Sequence, residues 1–143
     1  MSLSPEQQQQ LALDEAFPPI DSGCAPLGGR VLVQFKQTPR KTTASGIILV
    51  EETKDAEKWN TRVAKVIALG PLAYKKRDDM TPWPEGTWAD VGEFVRVPLW
   101  GGDRWEVPLT DNAEGERALF SVFNDHEIIS KVTGDPLKVR AWL

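Results

Sequence analysis

His126 is the only histidine of this chain and Cys24 its only cysteine, so little in it can ligate a metal or attack a carbon centre. His126 stands in Asn124-Asp125-His126-Glu127, where neighbouring carboxylates could let it titrate near neutrality. A lone imidazole cannot make a His-pair metal site, and it reads as an exposed turn residue. Cys24 has no partner for an internal disulfide and no second thiolate for zinc; it reads as a small residue ahead of the first strand. No nucleophile-elbow motif presents a serine. Gly28-Gly29 and Gly101-Gly102 lack the lysine and the spacing of a phosphate loop. Asp78-Asp79, and Asp111 with Glu114 and Glu116, are carboxylate clusters without a metal-loop pattern. No enzyme, no metal and no cofactor is expected, and what remains is chemistry by contact.

The candidate contact is Gly46-Ile47-Ile48-Leu49-Val50, an apolar cluster set between two polar stretches. Residues 37–45 carry Pro39, Arg40, Lys41, Thr42 and Thr43, and residues 51–60 are charged. Neither flank has enough apolar area to order itself. Two readings of Ile47, Ile48 and Leu49 stay open: a buried strand, or side chains held out for another molecule. The tryptophans are a second candidate. Trp59, Trp83, Trp88, Trp100, Trp105 and Trp142 are many for this length, and aromatics are enriched at interfaces. Trp83 and Trp88, beside Pro82, Pro84 and Gly86, are the pair expected at a subunit or partner contact.

Charge and hydropathy narrow the partner. The formal net charge of −4 argues against nucleic acid. Lys75-Lys76-Arg77 is followed at once by Asp78-Asp79 and reads as a solvated loop. No apolar run approaches the roughly 20 residues of a membrane span, and the Gln-rich N-terminus is not a signal peptide. A cytoplasmic, soluble protein is the expectation.

The elements that must position these groups are mostly strands. Residues 1–25 read as a separate arm. Ser4-Pro5-Glu6 can start a helix, with Ser as N-cap and Pro in the first turn, and Phe17-Pro18-Pro19 stops it. The arm is either disordered or docked on a neighbouring subunit or another protein, with Leu11, Leu13, Phe17 and Ile20 as its anchors. Residues 30–35 alternate as a strand with Val31, Val33 and Phe35 on one face. Further strands are expected at 61–69, 92–97, 103–109 and 118–123, and a last strand or turn plus strand at 125–132. Residues 72–88 are an irregular excursion too long for a hairpin turn. Residues 133–143 form a tail with Val139 and Trp142 available for packing. Short strands with Gly/Pro punctuation give an all-β barrel or sandwich.

Four stretches in fixed order, and a closing fifth, resemble the co-chaperonins, the GroES-like chaperonin-10 family. Pro26-Leu27-Gly28-Gly29-Arg30-Val31-Leu32-Val33 is similar to the family's opening strand, with Gly29 where the family usually has Asp. Ser45-Gly46-Ile47-Ile48-Leu49 is similar to the edge of its mobile loop. Val63-Ala64-Lys65-Val66-Ile67-Ala68-Leu69-Gly70-Pro71 resembles the next strand and turn, and Val91-Gly92-Glu93-Phe94-Val95-Arg96-Val97 the Val-Gly-Asp-x-Val strand. Residues 118–132, with Glu127-Ile128-Ile129, are similar to the closing strand.

The resemblance spans residues 26–132. It implies a partly open barrel in a seven-membered ring, docked on a chaperonin ring through loops at position 36–53, with residues 72–88 in place of a roof hairpin. It assigns Ile47, Ile48 and Leu49 to an apolar groove of the chaperonin and Gly46 to the turn. The N-terminal arm, the longer roof-position loop, the C-terminal tail and the tryptophans depart from the family. They fit a divergent, phage-encoded lid, or a static subunit of a virion that binds the major capsid protein.

Overall fold

The computed structural model describes residues 3–37, 63–98, 101–109 and 116–139. One helix and six strands follow in order: α1 (Pro5–Ala16), β1 (Arg30–Phe35), β2 (Val63–Leu69), β3 (Phe94–Arg96), β4 (Asp103–Pro108), β5 (Arg117–Asn124) and β6 (Ser130–Lys131), with a 3-10 turn at Asp125–Glu127 before β6. The strands form a single antiparallel sheet in the order β4-β5-β1-β2-β3-β6. Among the described residues its two edge strands, β4 and β6, do not pair with each other, so the sheet is not closed. The all-β expectation therefore stands.

Strand boundaries follow from local chemistry. β3 is shorter than the expected 92–97 because Gly92 sits at a φ of +91° and turns the chain just ahead of it. The stretch 125–132 takes the turn-plus-strand form. There Asn124 N–H and its side-chain amide both donate to Glu127 Oε1, at 3.0 and 2.7 Å, which closes the turn before β6 can begin. β1 and β2 change register between Leu32, opposite Ala68, and Val33, opposite Val66, so Ile67 is the extra residue of a bulge.

β1 is covered on both faces, and that places the core. Val31, Val33 and Phe35 point into one cluster with Ala64, Val66, Val95, Val97, Phe123 and Ile128, the face that the period-2 alternation specifies. Leu32 points the other way, onto Ala118, Phe120 and the partly buried Ile20 and Trp105. The chain between α1 and β1 runs across this second face and ties itself down with polar contacts. Gln34 Nε2 donates to Pro18 O at 2.8 Å and Trp105 Nε1 to Ser22 O at 2.8 Å.

α1 does not stand apart from the sheet. Ser4 caps it: Gln7 N–H donates to Ser4 Oγ at 3.2 Å, and Ser4 N–H to Gln7 Oε1 at 2.9 Å. Twelve residues are too few for a stable isolated helix, and Asp14 and Glu15 oppose the dipole at its C-terminal end. Tertiary contact makes up the difference. Leu13, Ala16 and Phe17, spaced i, i+3, i+4, pack on Val63, Phe94, Val132, Leu137 and Val139. Phe17 is 3% exposed, with its ring 5.0 Å from that of Phe94. Burying such a side chain is worth about 1.5–3 kcal/mol. The C-terminal stretch 135–139 shares the cluster as a turn in which Leu137 N–H donates to Asp135 Oδ1 at 3.0 Å.

Candidate functional site

The sheet puts the two ends of residues 38–62 side by side. β1 and β2 are neighbours, and their ladder ends where Lys36 N–H donates to Val63 O at 3.0 Å. The residues that flank this segment therefore lie together at one point on the sheet's rim. The chain ends meet it there. Gln37 N–H donates to Ala16 O at 2.6 Å, and Lys36 Nζ to Leu137 O at 3.0 Å. The candidate contact residues Gly46, Ile47, Ile48 and Leu49 lie outside the described residues, as do Trp59, Trp100 and Trp142.

The second excursion, residues 72–88 between β2 and β3, is described throughout. It begins at a close crossing of backbones. Gly70 N–H donates to Arg30 O at 2.8 Å and Leu72 N–H to Gly28 O at 2.9 Å. A Cβ at position 70 would collide with Gly28 O, so glycine is required there by contact. The excursion holds a small hairpin that the irregular reading missed: Lys75 bridges Pro82, and Lys76 N–H donates to Thr81 O at 2.7 Å. Asp79 ties its tip by accepting from Thr81 N–H at 3.0 Å and Oγ1 at 2.6 Å. Those bonds from Thr81 hold the Asp79 carboxyl below its ordinary range.

Three aromatic side chains anchor this excursion. Tyr74, 1% exposed, meets Trp83 at 5.3 Å edge-on and Trp88 at 5.8 Å between ring centroids, and the two tryptophans are 4.9 Å apart. Trp83 and Trp88 are half-buried and lean on the main core. Tyr74 adopts a left-handed φ of 59°, unusual for a residue with a bulky side chain. Its backbone N–H is held by Asp125, 3% exposed, which accepts it through Oδ2 at 3.0 Å and His126 N–H through Oδ1 at 2.8 Å. Neither the Tyr74 hydroxyl nor Trp88 Nε1 has a hydrogen-bond partner, although both are buried. Burial, and secondarily the negative charge of Asp125, pushes the Tyr74 hydroxyl up to about 12.

The departure at Gly29 has a counterpart in space. A side chain there would collide with the guanidinium of Arg77 and crowd Asp125 Oδ2. Arg77 folds back from the basic run over the start of β1, and it remains exposed, as do Lys76, Asp78 and Asp79.

The interface residues named from sequence separate. Leu11 is 52% exposed, whereas Phe17 is buried against its own chain. Leu13 and Ile20, the other expected anchors, also pack on their own chain. The turn residue His126 has 69% of its side chain exposed, and Cys24 is exposed. A shallow cleft of about 440 Å³ lies between Cys24, Leu27, Arg30, Trp105 and Glu127. Among the described residues no group of three or more His, Cys, Asp or Glu side chains is placed to hold a metal ion. No helix among them is long and apolar enough to cross a membrane. Sequence reasoning missed two positioning residues here: Asp125, which holds the aromatic excursion, and Lys36, which joins the loop root to the C-terminal stretch. Both rely on partners about a hundred or fifty positions away, at Leu137 and Tyr74, and no local pattern marks such pairs.

A search of curated proteins returns no match. Residues 24–132 match the family model of the chaperonin 10 kDa subunit, which leaves α1 and the C-terminal stretch as additions. With well over half of its length covered by that match and an open antiparallel sheet beneath it, the chain belongs to the chaperonin-10 family of GroES-like co-chaperonins, proteins that partner a chaperonin ring and assemble as rings themselves.

Proposed function

We propose that this protein is a lid: a ring of subunits, seven by the family's pattern, that caps a GroEL-like chaperonin chamber in the cytosol through the apolar residues Ile47, Ile48 and Leu49, with Gly46 permitting the turn. The family match is the observation that carries this reading. Two further features support it. The residues flanking the segment that bears Ile47, Ile48 and Leu49, namely Lys36 and Val63, are paired at the sheet's rim. The apolar residues are contiguous and bounded on both sides by polar sequence.

The energetics suit a cycling contact. Three aliphatic side chains entering an apolar groove give at most about 1.5–3 kcal/mol each. A segment that orders on binding gives back much of that gain. One subunit would bind weakly. Several on one ring act together, and avidity multiplies affinity by about 10²–10⁴ without a new contact. The lid then holds as a ring and releases when the chaperonin changes shape. No chemistry is asked of it, and no cofactor.

The competing role, a static virion subunit bound to a capsid protein, relies on chain ends that grip neighbours. In the described residues the anchors Leu13, Phe17 and Ile20 pack on their own subunit, which favours the lid.

Mixing the protein with a bacterial chaperonin and nucleotide should give capped complexes visible by electron microscopy. Ile47→Ser, Ile48→Ser and Leu49→Ser together should abolish capping with the thermal midpoint unchanged. A triple variant that unfolds would place these residues in the core and end the proposal.

A further inference from the structure

The two parts of the chain outside the family match, residues 1–23 with α1 and the stretch after Val132, are not independent of one another. They meet in one apolar cluster, in which Leu13, Ala16 and Phe17 pack with Leu137 and Val139 around Val63 and Phe94. A polar link joins them as well, from Gln9 Nε2 to Asp135 Oδ1 at 3.2 Å. Each end also touches the strand rim where residues 38–62 begin. Ala16 O accepts from Gln37 N–H at 2.6 Å, and Leu137 O accepts from Lys36 Nζ at 3.0 Å. Val63, the first residue on the return side, lies inside the cluster itself, 2% exposed.

We infer that the joined chain ends form a clamp on the root of the contact segment, that they fix the direction in which it leaves the sheet, and that they thereby raise its affinity for the chaperonin. Lys36, Gln37 and Phe17 are its positioning residues. The inference rests on the lid reading for its partner but not for its geometry. Physically, each backbone residue already fixed before binding is one whose ordering entropy the complex does not have to supply. Gln37 lies one residue beyond the β1–β2 ladder and would otherwise fray with the strand end. The carbonyl at the C-terminal end of α1 is unused by the helix and free to accept its N–H. A segment whose two ends emerge in fixed directions samples fewer useless orientations, and the gain repeats at every subunit of a ring.

The test compares the full chain with a deletion of residues 1–16 and with Lys36→Met, using Lys36→Arg as the conservative control. Two readouts are taken: hydrogen exchange at the Gln37 and Lys36 amides, and the concentration needed for half-maximal capping of a bacterial chaperonin. The deletion removes the acceptor of Gln37 N–H, so its exchange should accelerate by at least roughly tenfold while Val33 and Phe120, in the centre of the sheet, stay protected. The capping concentration should rise by roughly tenfold, the change that corresponds to about 1.4 kcal/mol. Lys36→Met should do the same to a smaller degree with its thermal midpoint kept, and Lys36→Arg should restore the full-length value. Unchanged exchange at Gln37 overturns the clamp. Loosened exchange with unchanged capping overturns its role in affinity. A full-length chain that caps no chaperonin, while the Ile47, Ile48 and Leu49 serine variant folds normally, overturns the lid reading and the affinity claim with it; the exchange data then stand alone on whether the root is held.

Discussion

Two structures have been built onto the same sheet, and they are held by opposite means. The joined chain ends are fastened by ordinary aliphatic and phenyl packing, and their helix has its first turn closed by Ser4 and Gln7. The excursion at residues 72–88 is fastened by three large aromatics and one buried carboxylate, and it leaves the Tyr74 hydroxyl and Trp88 Nε1 without partners. It also places Tyr74 at a left-handed φ. Packing therefore carries the excursion against a backbone and a polar account that are each unfavourable. In the chain ends packing only has to complete a helix too short to stand alone. The excursion lies within the residues that match the family, whereas α1 and the stretch after Val132 lie outside them. A rigid excursion can tolerate strain because its surroundings over-determine it.

Removing the anchor of the chain ends should have the largest effect. Phe17→Ala replaces a ring that is 3% exposed and should cost about 3–5 kcal/mol, read by urea unfolding. Loss of α1 helicity with the sheet intact would show that the ends come away as a unit. A cost below about 1 kcal/mol would mean that Phe17 is not the anchor. In the excursion the corresponding change is Asp125→Ala, which orphans the buried Tyr74 N–H and should cost about 1–3 kcal/mol. It should also lower the Tyr74 titration point, since the charge of Asp125 is one of its causes, though not to the ordinary value, because burial is the larger. An unmoved titration point would detach Asp125 from the aromatic group.

The contrast also marks where sequence sufficed. The alternation in β1 put Val31, Val33 and Phe35 on one side, and they share one cluster. Four of the five ordered motifs fall on described residues and four of the expected strands start or lie within them, because Gly and β-branched residues encode turns and strands locally; the family they resemble is the one whose model matches. The N-cap and the stop at Phe17-Pro18 were legible for the same reason. What α1 docks against was not. Leu13, Ala16 and Phe17 form a face at helical spacing, but its partners Val63, Phe94, Val132 and Leu137 come from four separate parts of the chain. Nothing in their own neighbourhoods distinguishes them from other core positions. The aromatic pair Trp83 and Trp88 was legible as a pair but not as the companion of Tyr74, whose role depends on a carboxylate at position 125. The tripeptide Ile47-Ile48-Leu49 lies outside the described residues, and its assignment rests on the capping experiment.

The smallest effect is expected at the Tyr74 hydroxyl, and it is the sharpest test of the strained half of the comparison. Tyr74 is the only tyrosine of the chain, so tyrosinate absorbance reports it alone. Its hydroxyl is pushed up to about 12 in the folded protein, against about 10 in an unfolded chain. The folded state then binds more protons than the unfolded one between those values, and stability must fall as pH rises through the interval. The contribution is fully present below about pH 10 and gone once the pH has passed about 12. Tyr74→Phe removes both the titration and a buried hydroxyl with no partner. It should leave stability at neutral pH unchanged or raise it by up to about 1 kcal/mol, and it should flatten the alkaline limb of the stability profile. A loss of stability at neutral pH in this variant would show that the hydroxyl is hydrogen-bonded after all, and that the excursion is no less well satisfied than the chain ends.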